Sequence, residues 1–177
     1  MVRSRRSFNA VIVLICIYLH KNANTHIAPP PMIRTAILGA SGYVGGELLR
    51  LLAAHPALKA IKLFGESKAV QPVVAAHPHL AAAYTELAFE KFGEGGLDGI
   101  DLLFAALPHG HSQRLAASIL DKKIPFVDLG ADFRLDDAAT YERWYGHAHE
   151  APELLGNFVY GIPSFIAKRS GRPGPLP

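Results

Sequence analysis

The chain has 177 residues, enough for one domain with a sizeable core, and half of them are hydrophobic, which excludes a disordered polypeptide. Its formal charge of +3 belongs to the ends: seven of the 18 basic residues lie in residues 1–31 or after Ile166, leaving 11 basic against 15 acidic residues between, a net −4. That distribution argues against a nucleic-acid surface, which needs clustered Lys and Arg on one face, and the single cysteine, Cys16, allows no internal disulfide, in keeping with a reducing, cytoplasmic setting.

Residues 1–31 stand apart. Arg3, Arg5 and Arg6 precede an apolar run from Ala10 to Leu19 that is shorter than the roughly 20 residues a membrane span needs, so no membrane partner is expected. Three readings fit: sequence upstream of a start at Met32, a targeting segment, or an anchor. The far end, 165–177, is rich in Pro, Gly and positive charge and is expected to be disordered. The domain is expected over 32–164.

Within it, Ile33–Leu38 reads as a first strand. Gly39-Ala40-Ser41-Gly42-Tyr43-Val44-Gly45 follows, and a helix of about Tyr43 to Ala54 comes next, with Val44, Leu48, Leu51 and Leu52 at the spacing of one face. His55-Pro56 stops it. Leu58 to Phe64 alternates as a second strand, 65–80 reads as a long loop, and Tyr84 to Phe92 fits a strand or an irregular segment. Gly93 to Gly99 is a turn. Asp101 to Leu107 is nearly all apolar, as a strand buried on both faces is. A helix of about Ser112 to Asp121, a strand Ile124 to Leu129 and a short helix within Asp136 to Tyr145 complete the order. Strands alternating with helices imply βαβ units, and so an α/β fold with a Rossmann-type doubly wound parallel sheet, here incomplete.

Strand, glycine turn and helix in that order can hold a dinucleotide phosphate. The first glycine allows the turn, the second lets backbone approach a pyrophosphate, and the third lets helix pack on strand. Free N–H groups and the helix dipole favour the negative charge. Gly39, Ser41, Gly42, Tyr43, Val44 and Gly45 are therefore the expected phosphate cradle. The region after the second strand decides between NAD and NADP. Ser67 and Lys68 suit a 2′-phosphate, while Glu66 opposes it. His77 and His79 flank Pro78 in a loop; a metal site would need further ligands, so structural roles are expected and no metal is assigned. Loops after strand ends, at Gly39–Gly45, Gly65–Lys68, Pro108–His111 and Gly130–Arg134, should converge.

Six motifs occur in order: Gly39 to Gly45, His77-Pro78-His79-Leu80, Leu107-Pro108-His109-Gly110, Asp128-Leu129-Gly130-Ala131-Asp132-Phe133-Arg134-Leu135, Tyr141 through Trp144-Tyr145-Gly146, and Pro152-Glu153-Leu154-Leu155 to Tyr160-Gly161-Ile162-Pro163. Together, over about 32–164, the chain resembles the N-terminal part of the N-acetyl-gamma-glutamyl-phosphate reductases. The Asp128 to Leu135 run and the Trp-Tyr-Gly run favour that family over the aspartate-semialdehyde dehydrogenases, and a non-catalytic NADP-binding module is a third reading. The resemblance implies NADP as cofactor, a small acyl-phosphate substrate in arginine biosynthesis, and a homo-oligomer when complete. It implies thiolate attack on the acyl phosphate, then hydride delivery to the thioester. It also implies that Leu107, Pro108 and His109 line the nicotinamide side, although His109 reads equally well as a turn residue. The family's Gly-Cys-Tyr-Pro-Thr-like nucleophile motif does not appear after Ser164, and Cys16 cannot stand in for it, so a fragment inactive by itself is expected, with no catalytic residue assigned. Asp128, Asp132 and Arg134 are expected to brace loops, and Trp144 with Tyr141 and Tyr145 to pack a helix on the sheet.

Overall fold

The computed structural model describes residues 31–161, and residues 31–158 belong to one compact unit. The expectations for 1–30 and 162–177, including Cys16 and the tail, lie outside the described residues.

Four parallel strands form one sheet in the order β2-β1-β3-β4: β1 Ile33–Leu38, β2 Leu58–Phe64, β3 Leu102–Ala105 and β4 Phe126–Asp128. The chain leaves β1 for β2 on one side and returns to β3 on the other. The sheet thus reverses its winding at β1, and the crevice beyond the carboxyl ends of β1 and β3 is where such sheets bind ligands. The helices are α1 Tyr43–Ala53, α2 Val73–Ala76, α3 His111–Asp121 and α4 Ala138–Tyr145.

Ala36, Ile37 and Leu38 of β1 are buried, as are Leu102, Leu103 and Ala105 of β3, as expected of central strands covered on both faces. Leu38, Leu103, Ala105, Phe64 and Ile119 pack into one core cluster with Leu97 and Ile100. A smaller cluster joins Ala116 of α3 to Phe133 and Leu155. The alternation in β2 breaks midway because Thr35 pairs with Ala60 but Ala36 with Lys62, so Ile61 is an extra, bulged residue. At the amino end of the sheet Arg34 and Asp101 pin β1 to β3. The Arg34 N–H donates to Asp101 Oδ2 at 2.8 Å, its guanidinium spans both carboxylate oxygens, and the Asp101 N–H returns to the Arg34 carbonyl at 2.9 Å.

Several expectations need correction. The buried face of α1 is Gly45, Gly46, Leu49 and Leu52, while Val44 and Leu51 are exposed. The strand runs read from apolarity are longer than the paired segments. Asp101, Ala106 and Leu107 fall outside β3, and Ile124, Pro125 and Leu129 outside β4: the ladders run over Leu102–Ala105 and Phe126–Asp128, and Asp101, Ala106, Pro125 and Leu129 flank them with single backbone bonds to the neighbouring strand. Residues 65–80 are not a plain loop: a turn of 3₁₀ helix at Glu66–Lys68, α2 and a second 3₁₀ turn at Pro78–Leu80 occupy them. Of the two readings of Tyr84 to Phe92 the irregular one holds, with single bridges from Glu90 to Phe64 and from Ala88 to Pro72. Trp144 is 72% exposed and does not pack on the sheet, whereas Tyr141 is fully buried.

Candidate cofactor-binding site

The turn after β1 is built by glycines for different reasons. Gly39 has φ +74°, in the left-handed region, and a Cβ there would collide with the Ala106 carbonyl at the end of β3. A Cβ on Gly45 would meet Ala40 Cα at 2.6 Å, so the first turn of α1 can sit directly on the turn only as glycine. Gly42 differs: nothing lies closer to its Cβ position than the Gly39 carbonyl at 3.4 Å, and the residue faces open space. Those are the three roles a phosphate-binding turn asks of its glycines.

The turn is braced from behind. His77 is buried, its Nε2 lies 2.9 Å from the Ala40 carbonyl, and its ring occupies the space beside Gly46, where a Cβ would approach the ring within 2.5 Å. The Nε2 atom therefore carries the proton and donates. His77 thus braces the turn, and His79 meets its ring edge-on with centroids 6.0 Å apart. Among the described residues no group of three or more His, Cys, Asp and Glu is arranged to hold a metal.

Among the described residues the three helices of eight or more residues begin differently. Asp137 caps α4 through the Thr140 N–H at 2.7 Å. The carboxylate of Asp132, 1% exposed, sits on the start of α3, accepting the N–H groups of Gly110 at 2.8 Å, Ser112 at 3.1 Å and Gln113 at 3.4 Å. At α1 no side chain among the described residues caps the first turn, and Gly42, Tyr43 and Val44 are exposed around it. The first N–H groups of a helix have no partner within it, so α1 presents unsatisfied donors and the positive end of its dipole to solvent.

The strand-end loops converge as expected. Gly39 touches Ala106, one residue before Leu107, Pro108 and His109. A Cβ on Gly65 would meet Ser41 Oγ at 2.8 Å, which places the 3₁₀ turn carrying Ser67 and Lys68 beside the glycine turn. Ser67 is exposed and Lys68 half-buried. The loop Gly130–Arg134 reaches the same end through Asp132. Asp128 also points there: its Oδ1 accepts from Ser112 Oγ at 3.0 Å and from the Gly130 N–H at 2.9 Å, and burial holds its carboxyl above the usual range.

His109 takes part in a network that no spacing rule reveals. Its Nδ1 lies 3.1 Å from Asp132 Oδ1, its Nε2 2.9 Å from the Tyr141 hydroxyl and 3.1 Å from His147 Nε2. Gln113 Nε2 donates to the Tyr141 oxygen at 2.7 Å, and the Glu150 N–H donates to Gln113 Oε1 at 2.6 Å. Burial, and then the charge of Asp132, push the Tyr141 hydroxyl up to about 12, so it stays a donor through the neutral range. Sequence reading missed Tyr141, His147 and Gln113 as partners of His109. The one available signal was the density of histidines between 109 and 149.

Known proteins resemble the chain in sequence and in fold. Residues 34–170 match the family model described as "Semialdehyde dehydrogenase, NAD binding domain". The chain is 46% identical over 132 residues to an N-acetyl-gamma-glutamyl-phosphate reductase of Heliobacterium modesticaldum and 44% identical over 132 residues to one of Pseudomonas putida. It is 42% identical over 136 residues to a [LysW]-L-2-aminoadipate/[LysW]-L-glutamate phosphate reductase of Sulfurisphaera tokodaii. Each alignment takes in 75% of this chain but 38% of the relative, so the chain spans well under half the length of these proteins. Among solved structures, an aspartate semialdehyde dehydrogenase of Candida albicans with NADP superposes with a TM-score of 0.51 at 20% identity, covering 60% of this chain and 32% of that one; the likeness is of fold. The chain belongs to the semialdehyde dehydrogenase NAD-binding domain family.

Proposed function

We propose that residues 32–164 are the cofactor-binding part of an NADPH-dependent reductase of N-acetyl-glutamyl phosphate. The observation that carries this reading is the α1 N-terminus. Among the described residues nothing caps it and it is exposed at Gly42, whereas carboxylates close the starts of α3 and α4. Such a terminus fits a pyrophosphate, taken by the N–H groups of Tyr43, Val44 and Gly45, with the Ser41 hydroxyl beside them. Gly39 shapes the turn, and Gly42 leaves the room that a phosphate oxygen needs.

Ser67 and Lys68 would take the ribose 2′-phosphate. Leu107, Pro108 and His109 would border the nicotinamide, which when bound supplies the hydride. Reduction of an acyl phosphate to an aldehyde releases phosphate and requires the carbonyl carbon to face that hydride. The contribution of this chain is to fix the donor's position, which lowers the entropic part of the barrier.

A second substrate reading, a [LysW]-L-2-aminoadipate or [LysW]-L-glutamate phosphate, draws support from the 42% identity to the Sulfurisphaera tokodaii reductase of that name. Both readings share the cofactor and the reacting group. The test is fluorescence titration of the full chain with NADPH and NADH. NADPH is expected to bind at least tenfold tighter, as a charge-assisted contact to one phosphate gives roughly 1.5–3 kcal/mol. Absence of saturable NADPH binding would sink the proposal.

A further inference from the structure

β1 and β2 end level with each other, Leu38 opposite Phe64, so the turns that follow them leave the same edge of the sheet. Gly39 opens one turn and Gly65 the other. Gly65 lies against the glycine turn, since a Cβ there would come within 2.8 Å of the Ser41 hydroxyl. Glu66 is the next residue and begins the 3₁₀ turn that also carries Ser67 and Lys68. In sheets of this winding, an acid about 20 residues past the glycine turn accepts the ribose 2′-hydroxyl of a dinucleotide, and a cationic group nearby accommodates a 2′-phosphate. This turn carries both kinds of group.

The backbone holds the turn in shape. The Gly65 N–H donates to the Glu90 carbonyl at 3.0 Å, the Lys68 N–H to the Gly65 carbonyl at 3.2 Å, and the Gln71 N–H to the Lys68 carbonyl at 3.1 Å. The charged side chains take no part in it. Among the described residues the ion pairs join Arg34 to Asp101, Arg50 to Glu47, His109 to Asp132 and Arg114 to Glu150. Glu66 and Lys68, two positions apart in one turn, do not pair, and Glu66 is exposed. An acid and a base thus stand at the end of β2 with neither spent on the other.

We propose that Glu66 sets the cofactor selectivity of this site: its carboxylate accepts the ribose 2′-hydroxyl of NADH and repels the 2′-phosphate of NADPH, so that the 66–68 turn admits both dinucleotides. The inference rests on the cofactor reading above. Ser67 and Lys68 attract the phosphate and Glu66 tempers that attraction. The magnitudes give a tempering and not a reversal. Two unit charges about 4 Å apart in water interact by the equivalent of roughly fivefold in affinity. A charge-assisted contact from Lys68 gives roughly tenfold or more. NADPH therefore stays the tighter ligand, with NADH as a second hydride donor.

The test compares the full chain with Glu66→Gln, each titrated with NADPH and NADH by fluorescence at low salt. The substitution removes the charge, keeps an accepting oxygen and breaks no contact among the described residues, so thermal melting should not change. NADPH affinity is expected to rise about fivefold, and NADH affinity to fall about twofold or more as its hydrogen bond loses charge assistance. The NADPH gain is expected to shrink in about 1 M salt, where charges are screened beyond roughly 3 Å. An NADPH-to-NADH preference unmoved by Glu66→Gln, or both affinities shifting together, would overturn the proposal and leave the cofactor reading in place. A native chain that binds neither nucleotide overturns both.

Discussion

Asp132 caps a helix to which it does not belong: its Oδ1 accepts the Gly110 N–H at 2.8 Å from 22 residues away. The same carboxylate takes two more N–H groups of α3 and faces His109 Nδ1. A fully buried anion is tolerable only because these donors and the positive end of the helix surround it.

Asp132→Ala is therefore expected to cost about 3 kcal/mol, as three helix N–H groups and a ring N–H lose their partner in a buried place. Asp132→Asn keeps one accepting oxygen and should cost less than half as much. Urea unfolding of the two variants checks the order; equal midpoints would refute the capping role.

The glycines separate stability from binding. Gly39→Ala combines a left-handed φ with a collision against the Ala106 carbonyl and is expected to destabilise by more than about 2 kcal/mol. Gly42→Ala meets nothing nearer than 3.4 Å in the protein, so melting should change little. Its added methyl would stand where a pyrophosphate approaches, and NADPH affinity should fall by roughly tenfold or more, about 1.4 kcal/mol. Circular dichroism melts and cofactor titrations on both variants would reveal the contrast.

Lys68→Ala and Ser67→Ala are expected to weaken NADPH roughly tenfold each, while NADH binding stays within about twofold, since on the proposed reading only the 2′-phosphate uses these groups. A matching loss for both cofactors would assign the 66–68 turn to ribose or adenine contacts instead.

The Arg34 guanidinium, by its hydrogen bonds, holds the Asp101 carboxyl at about 2, below the ordinary 3.8. A depressed carboxylate stabilises the fold above its unfolded value, and the contribution disappears as pH falls through the window from 3.8 to about 2. Because both partners are half exposed, the effect should stay under about 1 kcal/mol. The stability gap between the native chain and Asp101→Asn is expected to be constant at neutral pH and to close across that window. A gap independent of pH there would rule out the ion pair as its source.

The opening of the fold, β1, the glycine turn, α1 and β2, was legible because its signals are local: an apolar run, glycines at fixed offsets, and His55-Pro56 as a stop. The face of α1 was not. Periodicity weights large apolar residues, yet this helix lies on the sheet through Gly45 and Gly46, whose lack of side chain admits close approach. Val44 and Leu51 therefore turn outward, and Leu49 takes the core position. Trp144 misled in the same way, since its size suggested burial while Tyr141, three residues earlier, holds the buried position. The glycine turn could be read from spacing. The His109, Tyr141 and His147 contacts could not, because they join residues 32 and 38 positions apart through the packing of α4.

The His77 ring behind the glycine turn has a kinetic meaning as well as a structural one. The Ala40 carbonyl is held at 2.9 Å and the space beside Gly46 is filled, so the turn is braced in its present shape. A cradle ordered before its ligand arrives loses little conformational freedom on binding. On the proposed reading, capture of a nucleotide at the turn is expected to proceed as the docking of a preformed surface, with changes in affinity at this end expressed in how long the nucleotide stays and hardly at all in how fast it arrives.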